Sequence, residues 1–200
     1  MVHEHSNKYK QLKMNIARTK RLSFRLMDEN DAQLLYELDN DPDVMKYLTR
    51  GKTSSLQSIK DVFIPRLNAY RNEQKGWGLW QVNITQSNTF IGWVLVRPMG
   101  FFEQPDYSDL EIGWRFKQIS WGKGYASEAA LAVAHSVSQF KEVKSLSATA
   151  LKDNLGSINV MKKLGLSFVK EYQHSDEHGE LPAVLYSCSK EQLTPLNATH

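Results

Sequence analysis

Trp121-Gly122-Lys123-Gly124-Tyr125-Ala126 is the stretch on which the fold of this chain turns. Before it, Asp109 to Phe116 reads as a strand. After it, Ala126, Ala130, Val133, Ala134, Val137 and Phe140 recur at the helical period and mark one apolar helix face. Glycines between a strand and a helix let the backbone approach a ligand closely. The first N–H groups of the helix lack intrahelical partners, and the positive end of its dipole lies at the same place. Such a turn binds an anion, for example a pyrophosphate, and Lys123 can add charge from the rim. The competing reading makes the glycines turn residues only, and spacing alone does not choose between the two. Neither established phosphate fingerprint is present. The GxxxxGK[ST] spacing is missing, and GxGxxG is incomplete with no single βαβ unit around it.

Outward from this loop the chain alternates strands and helices. Leu22 to Met27 alternates as a first strand, and Asp28 to Asp31 offers a cap for a helix carrying Leu34, Leu35 and Leu38. Asn40-Asp41-Pro42-Asp43 breaks that helix, since proline disfavours the α region for the residue before it. The pattern predicts a second helix from Ser55 to Gln74 with Ile59, Val62, Phe63, Leu67 and Tyr70 inward. Trp77 to Ile84 and Phe90 to Met99 read as a hairpin, followed by an aromatic and acidic loop from Gly100 to Ser108. Beyond the long helix, Ser145 to Ala150 reads as a strand. A short helix capped by Asp153 or Asn154 follows and stops at Gly165, and Ser167 to Tyr172 and Leu181 to Cys188 close the order. This is a mixed α/β sheet with helices packed on it, in one domain without repeats or linkers.

Composition narrows the function classes. Of 200 residues, 41% are hydrophobic and 24% charged, which is ordinary for a globular domain. No apolar run reaches the roughly 18 residues of a membrane span, and the polar, basic start does not read as a secretory signal. A cytoplasmic protein without membrane contact is expected. The single cysteine, Cys188, cannot form an intramolecular disulfide and fits a reducing compartment. The net charge of +3 is concentrated near the start, where Lys8, Lys10, Lys13, Arg18, Lys20 and Arg21 cluster. A solvated arm is favoured there over a nucleic-acid contact, so nucleic acid is not an expected partner.

The motif series resembles a known family. Glu111-Ile112-Gly113-Trp114, the loop Trp121 to Ala126, Glu128-Ala129, Asn154 with Ser157, and Lys163-Leu164-Gly165-Leu166 follow in an order similar to the GNAT acetyltransferase superfamily, in particular the branch of ribosomal-protein N-terminal alanine and serine acetyltransferases. The resemblance covers about Arg18 to Ser187. It implies a mostly antiparallel central sheet of about seven strands flanked by helices, over residues 18–188. Residues 1–17 are expected as a flexible basic arm and 189–200 as a loose tail.

The resemblance further implies acetyl-CoA as acetyl donor, an amine acceptor, no metal and a homodimer. The acceptor would be a protein N-terminus or a small amine such as a polyamine, amino acid or aminoglycoside. Backbone groups of Trp114, Arg115 and Phe116 are expected to pair with the pantetheine arm like an added strand. The N–H groups of Trp121, Gly122, Lys123, Gly124, Tyr125 and Ala126 are expected to cradle the pyrophosphate. Asn154 would touch the pantetheine or line the acetyl pocket, and Ser157 would sit near the thioester sulfur.

One departure stands out. Met161 occupies the position where many relatives carry a tyrosine acid, and a thioether cannot donate a proton. Ser157, one helical turn earlier, is the candidate for that role. Glu111 is the best-placed carboxylate for a general base. Its alternative is a carboxylate paired with a nearby Arg or Lys. Glu128 reads as a residue complementing the helix dipole. The loop Phe101 to Tyr107 is expected near the acceptor. His174, Asp176, Glu177, His178 and Glu180 match no zinc spacing and read as a polar hairpin loop. Trp77, Trp80 and Trp93 read as strand packing, and Cys188 as a small buried hydrophobe. A catalytically silent acyl-CoA-binding or nucleic-acid-associated module on the same fold is the second reading, kept open by Met161.

Overall fold

The computed structural model describes residues 13–176 and 179–196. Seven strands form one sheet in the order β1-β2-β3-β4-β5-β7-β6. These are β1 (Leu22–Leu26), β2 (Gly78–Ile84), β3 (Thr89–Met99), β4 (Asp106–Phe116), β5 (Ser145–Leu151), β6 (Ser167–Asp176) and β7 (Gly179–Ser189). Only β4 and β5 run parallel, and the remaining pairs are antiparallel. The helices are α1 (Ala32–Asp39), α2 (Pro42–Met45), α3 (Leu56–Ser58), α4 (Ile64–Tyr70), α5 (Tyr125–Val137) and α6 (Leu155–Lys163).

Alternation along β3 assigns the helices to opposite faces. Val94 and Val96 join the core under α5 and α6, with Ala130, Val133 and Met161. Trp93 points the other way, into a second core with Leu35, Leu38 and Leu67 of α1 and α4, and the bulge at Ile91 turns Phe90 to that same side. A strand buried on both faces reads as a nearly continuous apolar run, and Phe90 to Val96 has that form. The alanines of α5 let its backbone lie close to the sheet, and Ala129, Ala130 and Ala134 are fully buried.

Several boundaries differ from the sequence reading. The helix expected over Ser55 to Gln74 ends at Tyr70, because Arg71 is extended. Asn72 Oδ1 accepts from the N–H groups of Gln74 and Lys75, both at 3.0 Å, which gives the backbone a turn in place of a further helical one. Within that helix Ile59–Phe63 widens to a π turn, with Ile64 N–H bonded to Ile59 O. Pro65 follows at once, lacking an N–H and crowding the preceding turn, and the wider turn accommodates it. β4 starts at Asp106, three residues before the expected Asp109, since Met99 pairs with Asp106 across a bulge after Pro98.

Both expected terminal segments are partly packed. Residues 1–12 of the arm lie outside the described residues. In the remainder Ile16 is buried, Met14 N–H bonds Glu73 O at 2.8 Å, and Lys13 pairs with Glu73. At the other end Leu193 is buried, and Thr194 N–H reaches Leu164 O at 3.0 Å. An apolar residue buried against the main core in each segment opposes free motion there.

Candidate active site

The sheet opens where its two halves meet. β4 and β5 are in register only at Asp109, Leu110 and Glu111. On its other side β4 stays paired with β3 as far as Phe116. From Ile112 onward the β5-facing edge of β4 therefore has no strand partner among the described residues, and its polar backbone groups border a cavity of about 580 Å³. Trp121 Nε1 donates to Phe116 O at 2.8 Å and holds the end of the strand in place.

The glycine loop turns directly into α5. Gly122 (φ +71°) and Gly124 (φ +77°) both occupy the left-handed region that glycine tolerates. Gly124 is the N-cap of α5 and supplies no side-chain cap. By contrast, α2, α3 and α6 are capped by the side chains of Asp41, Ser55 and Asn154. The first N–H groups of α5 are thus left for something other than a capping side chain. The loop is exposed and carries the positive end of a thirteen-residue helix.

A basic side chain missed in the sequence stands beside this loop. Arg21 Nη1 donates to Lys123 O at 3.0 Å, and its guanidinium lies 4.5 Å over the Tyr125 ring. Glu128 anchors it through Arg21 Nε to Oε2 at 2.6 Å, while Thr19 Oγ1 donates to Oε1 at 2.6 Å. Glu128, read as a dipole partner, thus also fixes the start of β1. In the sequence Arg21 stands only within a basic cluster, and no local signal marks a contact formed across 107 residues.

Of the expected site residues, Glu111, Trp114, Arg115, Phe116, Trp121, Gly122, Ala126, Asn154 and Ser157 line the one cavity. Lys123, Gly124 and Tyr125 do not line it and lie at the α5 end of the loop. Asn154 Oδ1 accepts from Ser157 N–H at 3.1 Å, so Asn154 caps α6 as well as facing the cavity. Ser157 Oγ has no protein hydrogen bond among the described residues. Met161 is buried in the core and does not reach the cavity.

Glu111 shows the ion pair expected as its alternative and also a place on the cavity wall. It lines the cavity and also accepts from Arg97 Nε at 2.7 Å through Oε2, directly across the β3–β4 register. Its second oxygen has no protein donor among the described residues. Farther along, Arg115 is paired with the buried Asp39 and lies 5.0 Å from the Trp93 ring. The wall opposite β4 comes from α2, the end of the π turn and α4, including Val44, Phe63, Leu67 and Tyr70. Burial pushes the Tyr70 hydroxyl up to about 12, so it stays protonated near neutral pH.

Other candidates fall outside the cavity. The loop Phe101 to Tyr107 does not line it, although Phe102 stacks on two arginines that do. Tyr107 instead stacks on Trp77 at 5.8 Å. His174 borders an adjoining pocket of about 150 Å³ with Tyr47 and Arg50, while Glu177 and His178 lie outside the described residues. Cys188 is buried, and burial first, then Asp109, push its thiol up to about 11. No cysteine nucleophile faces the cavity.

Comparison with known proteins agrees with this geometry. The family model described as "Acetyltransferase (GNAT) domain" matches residues 21–167. The uncharacterized N-acetyltransferase YnaD of Bacillus subtilis (strain 168) is 31% identical over 150 residues, covering 74% of this chain and 80% of that protein. An acetyltransferase (GNAT family) from Bacillus anthracis superimposes with a TM-score of 0.72 at 24% identity, over 88% of this chain and 99% of that one. RimL, a ribosomal alpha-N-protein acetyltransferase in complex with coenzyme A, shares the fold with a TM-score of 0.69 at 14% identity, over 87% and 97%. Among the described residues no helix is long and apolar enough to cross a membrane.

Proposed function

The chain belongs to the GNAT acetyltransferase family, and from that premise we propose that it transfers an acetyl group from acetyl-CoA to a primary amine. The observation that carries this reading is the parting of β4 and β5 after Glu111, beside a cavity that also receives the glycine loop and α6. The open edge from Ile112 to Phe116 suits an amide-bearing chain laid alongside it as an extra strand. The uncapped start of α5, with Arg21 held beside it, suits a pyrophosphate. When bound, acetyl-CoA supplies a thioester whose C–S bond breaks as the amine forms its N–C bond.

In this proposal the chain's own residues orient the partners and move protons. Glu111, through its free oxygen, takes the proton that the attacking amine must lose, directly or through one water. Arg97 fixes that carboxylate on the wall. A β4 N–H steadies the charge that develops on the carbonyl oxygen. Ser157, with its hydroxyl free of protein partners among the described residues, gives a proton to the departing sulfur. Met161, sealed in the core, takes no part in this step. The buried, protonated Cys188 takes no part, so transfer is direct.

The acceptor belongs to the proposal: a protein N-terminus, as in RimL, or a small-molecule amine. So does a cytoplasmic setting, supported by the lone Cys188, and a homodimer, which sedimentation would check. Calorimetric titration with acetyl-CoA followed by a thiol-release screen over amines and N-terminal peptides tests the reading. Binding with turnover on one acceptor class is the expected outcome. Absence of acetyl-CoA binding would refute it, and binding without any turnover would favour the silent module.

A further inference from the structure

The wall formed by α4 and β3 carries charge that acetyl transfer does not itself require. Arg66 and Arg97 both line the cavity, and both lie against the ring of Phe102, with guanidinium carbons 4.3 and 5.5 Å from its centroid. Arg97 is also 5.6 Å from the Tyr70 ring. Its bond to Glu111 uses Nε, and its terminal nitrogens have no acceptor among the described residues. Arg66 has no carboxylate partner among the described residues.

The neighbouring charges do not offset this pair. Arg115 is already neutralised by buried Asp39, and Asp43 accepts from Gln118 at the far end of β4. Arg97 is paired with Glu111 while Arg66 has no carboxylate partner among the described residues, so the corner is left with a positive charge. Tyr70 faces it from the cavity wall. Between this corner and the open edge of β4 the wall is apolar, with Phe63, Leu67, Trp93 and Leu95.

We propose that this corner binds a carboxylate of the acceptor, so that the acceptor is an amino-acid-type small molecule: a primary amine with a carboxylate and an apolar body. The inference rests on the acetyl-transfer reading and names its substrate class. Guanidiniums bind carboxylates through charge-assisted, often bidentate hydrogen bonds, and a partly desolvated wall strengthens them. The apolar stretch takes the body of the molecule, while the amine, next to the carboxylate, stays beside Glu111. A polycationic amine would set an ammonium group against an uncompensated guanidinium, which opposes binding. Phe102 acts as a positioning residue that stacks both guanidiniums.

The test uses the full chain with saturating coenzyme A, titrated calorimetrically with N-acetylphenylalanine and with N-acetylphenethylamine, which lacks only the carboxylate. The acid is expected to bind about tenfold more tightly or better. In Arg66→Gln, an exposed position that leaves the core intact, the preference should shrink to about threefold or less. Equal or weaker binding of the acid, no detectable binding of either compound, or an undiminished preference in the variant would overturn the proposal. Failure of coenzyme A itself to bind would sink the acetyl-transfer reading. A chain that binds coenzyme A without discriminating loses only this inference.

Discussion

Arg21 and Glu128 hold the first strand to the start of the long helix: Nε and Nη2 both lie 2.6 Å from the same carboxylate oxygen, Oε2. The same guanidinium touches Lys123 O and the Tyr125 ring, so it stands at the proposed pyrophosphate position. Arg21→Ala should weaken acetyl-CoA binding by about tenfold, since charge-assisted contacts to phosphate are worth about 1.5–3 kcal/mol. Arg21 itself is exposed and Glu128 keeps the Thr19 hydroxyl, so losing the ion pair should cost only about 1 kcal/mol and shift the melting temperature little. Calorimetry paired with thermal melting checks both halves.

Gly124→Val is expected to abolish acetyl-CoA binding. At φ +77° a β-branched residue is strained by about 1–2 kcal/mol, and its Cβ would stand 3.5 Å from Arg21 Nη2. The side chain would also project into the loop that is to hold the phosphates. Retained affinity in a folded variant would remove the phosphate-loop assignment.

Glu111→Gln should lower kcat by about 10²-fold or more while leaving acetyl-CoA affinity unchanged, as loss of a general base does. The amide keeps an oxygen for Arg97 and so preserves the wall. Steady-state kinetics beside direct titration separates the two effects. An unchanged kcat would leave Glu111 as an ion-pair partner alone.

Asp39→Ala strands the Arg115 guanidinium, whose side chain is 11% exposed against 3% for Asp39. Breaking a buried pair on one side costs about 3–5 kcal/mol. Asp39→Ala with Arg115→Met should recover a large part of that, because no lone charge remains buried. Urea unfolding of the wild type, the single and the double variant reads the difference.

Alkali should destabilise the fold once the pH passes the ordinary values of two buried groups. The Cys188 thiol is raised from 9.0 to about 11, and the Tyr70 hydroxyl from 10.0 to about 12, both chiefly by burial. Each group favours its protonated form in the folded state. Its stabilising effect is complete below the unfolded value and is lost as pH rises toward the folded one. Urea midpoints should therefore fall between about pH 9 and 12 and stay level with respect to these two groups below that window. The native thiol should also resist disulfide reagents at pH 8 and react on unfolding.

The strand–glycine–helix passage was legible because its signals are local: alternation to Phe116, Gly122 and Gly124 before an apolar helical stripe. The same holds for Asn154 as a cap and for the break at Pro42. The end of the helix at Tyr70 was not, since apolar periodicity runs past it, and Asn72 stops it through its side chain on Gln74 and Lys75 and its backbone bridge to Trp77. Arg97, Tyr70 and Arg66 carry no motif. They meet because β3 pairs with β4 and because α4 lies over that face of the sheet. Such a wall is a property of the assembled layers, and periodicity along the chain cannot express it.

The narrow register between β4 and β5 also has a mechanical side. β1 and the first turn of the fold lie in one half of the sheet, and β7 with the last described residues lies in the other. Three registered residue pairs join the halves directly, against five between β1 and β2 and seven between β5 and β7. A pull on the two ends of the chain would thus concentrate on this seam, with α5 as the tether behind it. A molecule lying along the free edge of β4 would act there as a splint, and its departure would return the joint to its most compliant state.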